Sequence, residues 1–299
     1  MQETISVFGD YASKLGESPV WDHISGALWW IDGLSVFADE ALILGADSSG
    51  RSLEPIRCGK AIGAIGLADD GFVASMTDGF YHIDRAGRAR QLAYVDPENG
   101  AMRFNDGKMD RAGQFVSGQI EKVKKEKKFC GTWRLNHHGG VDKLVDGIHM
   151  QNATCFSPSG DIMYFADTHE GVIRVHEYDP HSPSLGRRIG TIDCRPYGSD
   201  PDGATVDRRG NVWVALVFAQ AIACFSPGGE LIRHISLPVP YPSCPAFGGD
   251  DMDRLFITTV SDSGRLVKSD DPQAGRILVI DGLGVKGIEE ARWSGVITP

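Results

Sequence analysis

Short apolar runs that directly follow a turn signal recur along the whole chain. Ser25-Gly26 precedes ALWWID, Asp70-Gly71 precedes FVASM, and Ala112-Gly113 precedes QFVSG. Ser159-Gly160 then precedes DIMYFAD, Arg209-Gly210 precedes NVWVALV, and Met252-Asp253 precedes RLFITT. Gly or a small polar pair followed by β-branched and aromatic residues reads as a turn entering a strand. The anchors at 26, 71, 113, 160, 210 and 253 are 45, 42, 47, 50 and 43 residues apart. Six units of about 45 residues match the period of a four-stranded propeller blade. Each unit offers a second strand pair, as in GFYHID, GTWRLN, VIRVHEYD and AIACFS. Such a unit cannot bury both faces alone, so neighbours stack around a central channel. The pattern predicts an all-β fold, a six-bladed β-propeller formed by residues 1–299 as one domain, over a β-sandwich pair with similar strand spacing. The ends of the chain are expected to share one blade and so close the ring.

Composition narrows the class. The 299 residues are 41% hydrophobic and carry a net charge of −10, which suits a soluble acidic protein and disfavours nucleic acid or anionic membrane as partners. The six cysteines are scattered without a C-x-x-C pair, as expected of single buried thiols in a reducing compartment. No apolar run approaches the roughly 18 residues that span a bilayer. The opening segment lacks a basic stretch followed by an apolar core, so a cytoplasmic location is the expectation.

Three polar positions stand out against this repeat. Glu17 in LGESPVW lies 9 residues before Gly26, Asn152 in MQNATCF lies 8 before Gly160, and Asp202 in DPDGATV lies 8 before Gly210. Each precedes a short apolar strand. In a propeller, equivalent points of different blades meet at one mouth of the channel. Three oxygen-bearing side chains at one register would form a site for a hard divalent cation. The plainer reading is that each residue only shapes its own turn. A fourth corner, MRFNDGKMDRAG, places Asn105 8 residues before Gly113 and Arg103 two before Asn105. In an extended segment both side chains face one way, offering donors and an amide suited to hydroxyls or a carbonyl. A surface Arg103 paired with Asp106 or Asp110 is the alternative.

The stretches LGESPVWD…GALWWID, RFNDGKMDRAGQF, SPSGDIMYFADT and PDGATVDRRGNVWVA together resemble the SMP-30/gluconolactonase/regucalcin-like family of six-bladed propeller lactonases. The resemblance runs over about residues 13 to 260. It implies one divalent metal ion (calcium, zinc, magnesium or manganese) held by Glu17, Asn152 and Asp202. It also implies a sugar lactone contacted by Arg103 and Asn105. Two places depart from the family pattern. Where relatives often have Pro-Asn-Gly, this chain has Gln151-Asn152-Ala153, so the turn after the ligand is expected to forgo glycine's positive-φ freedom. Where relatives have Gly-Thr-Met, it has Gly118-Gln119-Ile120, followed by the basic run EKVKKEKK at 121–128, expected as a solvated hairpin or lid.

The chemistry implied is metal-assisted hydrolysis of an aldonolactone to the aldonic acid. A cation polarises the carbonyl or acidifies water, and Asp202 is placed both as ligand and as proton acceptor. The chain contains no G-x-S-x-G and no H-E-x-x-H, which argues against a serine nucleophile or that zinc motif. His149 is a candidate for the channel mouth and Glu121 for substrate contact. His82, His176, Asp167, Trp29 and Trp30 are expected to be structural, and His137-His138 to lie in a solvated turn. Two other functions stay open: a calcium-binding regulatory protein, and a non-catalytic interaction platform.

Overall fold

The computed structural model describes residues 3–33, 41–96, 98, 100–122, 129–264 and 266–295. Six small sheets, each with four antiparallel strands, follow one another around a ring. Blades 1 to 5 comprise residues 16–58, 62–94, 102–148, 151–193 and 201–236, each with its four strands in chain order. Blade 6 takes three strands from residues 242–281 and its outermost strand, Thr4–Phe8, from the other end of the chain. The ring is thus closed as the sequence predicts, with Ile5 opposite Ile280 and Val7 opposite Leu278.

The turn-then-aromatic runs are the second strand of each blade, Ala27–Asp32 through Arg254–Thr259. They are buried on both faces because each blade packs between two neighbours. Val212–Leu216 is buried at every position, whereas the outer strand Leu231–Ser236 of the same blade is largely exposed. The apolar clusters accordingly sit between blades. One joins Trp21 and Trp30 of blade 1 to Phe247 and Phe256 of blade 6 and Trp213 of blade 5. Within it Trp21 stacks on Phe256 with ring centroids 5.6 Å apart, a pairing worth about 0.5–1.5 kcal/mol beyond area burial. All six cysteines are free and buried.

The innermost strands, which line the channel, are Gly16–Asp22, Ile62–Ala68, Met102–Met109, Gln151–Phe156, Pro201–Val206 and Pro242–Gly248. Each carries a one-residue β-bulge near its start. A bulge bends its strand and re-aims the side chains beside it, and here six of them ring one mouth of the channel.

The opposite end holds a feature with no counterpart in the sequence pattern. Residues 282–295 cross it, touching the turns that join the first and second strands of several blades. Gly287 bridges Asp207 of blade 5 and donates to Met252 O of blade 6 at 2.7 Å. Arg292 donates to Asp22 Oδ1 of blade 1 at 2.9 Å. The short strand Arg292–Trp293 then adds in parallel to blade 2 as its fifth strand. Among the described residues, no helix is long and apolar enough to cross a membrane.

Candidate functional site

The bulges place the sequence-predicted residues. Glu17 and Asn152 are the last regularly paired residues before the bulges of blades 1 and 4, opposite Ile31 and Ala166. Asp202 is the first residue of the bulge in blade 5, one step after Pro201, which pairs with Leu216. Asn105 holds the same bulged position in blade 3, one step after Phe104, which pairs with Gln119. The equal spacing to the turn glycines therefore does not reflect one common register. Blades 1, 3 and 5 carry one residue more than blade 4 between bulge and turn, so Asn105 and Asp202, at the same spacing as Asn152, sit one position further into the strand, while Glu17, at a spacing one longer, keeps the register of Asn152.

The residue after Glu17, Ser18, has φ of 50°, and the residue after Asn152, Ala153, has φ of 56°. Both are left-handed. The expectation that Ala153 forgoes this conformation is corrected: the chain adopts it without glycine, at a cost of roughly 1–2 kcal/mol. In blade 1 the Ser18 hydroxyl accepts from Ile65 N–H of blade 2 at 2.9 Å, which helps hold the strained corner. Blade 2 has Gly63 in its bulge. A Cβ there would stand 2.5 Å from the Phe104 carbonyl carbon, so only glycine lets the two inner strands approach at Asn105.

The polar side chains form a chain of directed contacts. Arg103 Nη1 donates to Phe104 O at 2.7 Å and to Asn105 Oδ1 at 3.2 Å. Asn105 Nδ2 donates to Gln151 O and to Asn152 Oδ1, both at 2.9 Å. Asn152 Nδ2 donates to Thr168 Oγ1 at 2.8 Å. The Asn152 amide is thereby fixed with its oxygen on the side of Asn105, one lone pair used and one remaining.

The carboxylates around this chain are electrostatically linked. Burial pushes the Glu17 carboxyl well above the usual carboxylate range. The negative charges of Asp202 and Asp106 push it further, against relief from the Ser18 amide and Arg103. Asp202 is also raised well above the usual range, by burial and by Asp106. Both side chains keep partial access to solvent from the channel, but the surrounding protein walls them in. Asp106 is buried and raised by that burial, partly offset by hydrogen bonds from Thr154 and Gly107 and by the charge of Lys108. For Lys108, burial works against the charged form, and Glu290 and Asp106 outweigh it, so its ammonium is raised.

Two enclosed carboxylates that repel each other, and an oriented amide oxygen joined to them through Asn105 and Arg103, are an oxygen-only donor set. That chemistry fits a hard divalent cation, whose charge would relieve the repulsion. Among the described residues, no group of three or more His, Cys, Asp or Glu side chains forms a metal-holding cluster. Hydrogen bonds join Arg103, Asn105 and Asn152, and charge links Glu17 to Asp202 and to Arg103.

The remaining candidates fall into place. His149 Nδ1 lies 2.8 Å from Glu121 Oε1 near the same mouth, and Glu121 N–H donates to His149 O at 3.1 Å. Asp167 is structural: its Oδ1 accepts from the amides of His149 and Met150, each at 3.2 Å. His82 pairs with Asp70 at 2.7 Å, and Trp29 and Trp30 are core residues. His138 is exposed in the turn at Asn136–Gly139, at the end away from the mouth. Of the basic run, residues 123–128 lie outside the described residues. Sequence reasoning missed the supporting roles of Asp106, Thr154 and Thr168, whose contacts cross between strands or blades and leave no local signature.

A six-bladed ring with an acidic, amide-lined mouth defines the class. Residues 15–261 match the model of the SMP-30/gluconolactonase/LRE-like region, and the chain belongs to that family. It is 29% identical over 257 residues to a putative sugar lactone lactonase, YvrE, of Bacillus subtilis, covering 85% of this chain and 86% of the relative. It is 29% identical to the L-arabinolactonase of Azospirillum brasilense, covering 97% and 95% of the two chains. Among solved structures, a calcium-binding regucalcin from Agrobacterium tumefaciens superposes with a TM-score of 0.85 at 27% identity, covering 96% of each chain.

Proposed function

We propose that the protein is a divalent-metal-dependent hydrolase that opens a sugar lactone to its aldonic acid. The observation that carries this reading is the pairing of two mutually repelling carboxylates, Glu17 and Asp202, with the oriented Asn152 amide at one channel mouth. Glu17, Asn152 and Asp202 would hold the ion. A bound divalent cation supplies Lewis-acid polarisation of an ester carbonyl.

The protein's own groups perform the rest. Arg103, partly exposed and pointed by its bond to Asn105, donates to ring hydroxyls and sets the lactone's orientation. Asn105 ties that substrate contact to Asn152. The Asp202 carboxylate, holding the ion through one oxygen, serves as the proton acceptor through the other. It takes a proton from the attacking water as the new C–O bond forms at the carbonyl carbon. It returns the proton to the ring oxygen as the ester C–O bond breaks, which leaves a hydroxy acid. The lactonases among its relatives support this substrate class.

The test is proton release over a panel of aldonolactones, with and without chelator. Metal-dependent release with at least one lactone is expected. Tight calcium binding with no release across the panel would favour a calcium-binding role instead, a reading supported by the regucalcin relatives.

A further inference from the structure

Asp106 takes no part in the hydrolysis described above, yet it is 8% exposed and lies one residue beyond Asn105. Its Oδ2 accepts the N–H of Thr154, across the boundary between blades 3 and 4, at 2.7 Å. The Thr154 hydroxyl also bonds to it. That hydroxyl accepts in turn from Gln151 Nε2 at 2.8 Å, and Gln151 Oε1 accepts from the hydroxyl of Thr132. Asn152 is therefore bracketed. The residue before it and the second residue after it belong to one buried network that ends on the Asp106 carboxylate.

Between Asn152 and Thr154 stands Ala153, at φ of 56°. An L residue holds that conformation only where its surroundings over-determine it. Ala153 has no polar side chain with which to hold itself. The bond from Thr154 N–H to Asp106 is the contact that fixes the far side of the corner.

We propose that Asp106 is a positioning residue, a clamp across the blade 3–blade 4 boundary that keeps Ala153 left-handed and so presents Asn152 Oδ1 to the ion. This rests on the reading of Glu17, Asn152 and Asp202 as metal ligands. The clamp acts through hydrogen-bond geometry, so a neutral acceptor of the same shape partly replaces it. A residue that needs no clamp at position 153 makes it dispensable.

The test is calorimetric titration of Mn²⁺ into the full-length protein and four variants. Asp106→Ala is expected to weaken Mn²⁺ at least tenfold, and Asp106→Asn to lie closer to the wild type. Ala153→Gly alone is expected to bind like the wild type, since glycine adopts positive φ freely. The double variant Asp106→Ala/Ala153→Gly is expected to recover most of the loss. Wild-type binding in Asp106→Ala would overturn the clamp alone. Equal losses in Asp106→Ala and the double variant, or in Asp106→Ala and Asp106→Asn, would also overturn it, the latter by showing that charge and not geometry is at work. A wild-type protein that takes up no Mn²⁺ would contradict the ligand reading itself and the clamp with it.

Discussion

Asn105 Nδ2 lies 2.9 Å from Asn152 Oδ1, across the boundary between blades 3 and 4. The side chain expected to meet the substrate is thus the one that orients the amide expected to meet the ion. Arg103 continues the chain on one side and Thr168 on the other. The expected substrate contact and the expected metal contact are therefore joined by a hydrogen bond, and a change at one is expected to be transmitted to the other.

Asn105→Leu preserves shape and removes the donor. It leaves Asn152 Oδ1 and Gln151 O without their partner, a loss of about 1–3 kcal/mol. Urea unfolding is expected to register this, and lactone turnover to fall by two orders of magnitude or more, roughly the scale of a mispositioned catalytic contact. Full turnover in a destabilised Asn105→Leu protein would separate the two functions of this residue.

Asp202→Asn keeps an oxygen donor and removes the proton acceptor. Assayed with saturating metal, it is expected to lose about 10²–10⁴ in kcat, the usual contribution of general base catalysis. Near wild-type turnover under those conditions would show that Asp202 is not the base.

Acidity couples to metal uptake with a definite sign. Glu17 and Asp202 carry folded-state values raised well above the ordinary carboxylate range. Between that range and the raised values the metal-free folded protein retains protons that the unfolded chain has released. These two groups therefore make metal-free stability fall as pH rises through that window. A divalent cation displaces the same protons, so its affinity is expected to rise with pH, and binding to release protons. Calorimetric titrations at about pH 5.5 and about pH 7.5, in buffers of different ionisation enthalpy, check both. Affinity independent of pH, without proton release, would contradict the account.

Much of this architecture is legible in the sequence because blades repeat a physical requirement. A turn must precede each second strand, and that strand must be apolar on both faces, so NVWVALV and RLFITT announce themselves. The candidate ligands are legible because they interrupt otherwise apolar inner strands. Three things are not. The register difference between Asn152 and Asp202 is hidden because a bulge and a longer hairpin arm compensate, leaving the spacing to the glycine unchanged. The left-handed Ala153 is hidden because its stabilising partner, Asp106, lies in the neighbouring blade, 48 residues from Thr154. The fifth strand of blade 2 is two residues long, too short for any hydrophobic period to reveal.

That last strand carries its own prediction. Trp293 is 2% exposed and packs into the cluster between blades 2 and 3 with Phe80, Phe104 and Phe115. Trp293→Ala is expected to cost about 3–5 kcal/mol in urea unfolding. The site lies at the far mouth, so KM for the lactone is expected to be unchanged at a temperature where the variant is folded. An altered KM with unchanged stability would mean that the segment at 282–295 influences the site directly.

The central claim is that Glu17, Asn152 and Asp202 enclose a single ion. Anomalous diffraction from crystals soaked in Mn²⁺ tests it most directly. The account predicts one strong peak within coordination distance of the Glu17 and Asp202 carboxylates and Asn152 Oδ1. A peak elsewhere, or no peak among these three side chains at saturating Mn²⁺, would contradict it.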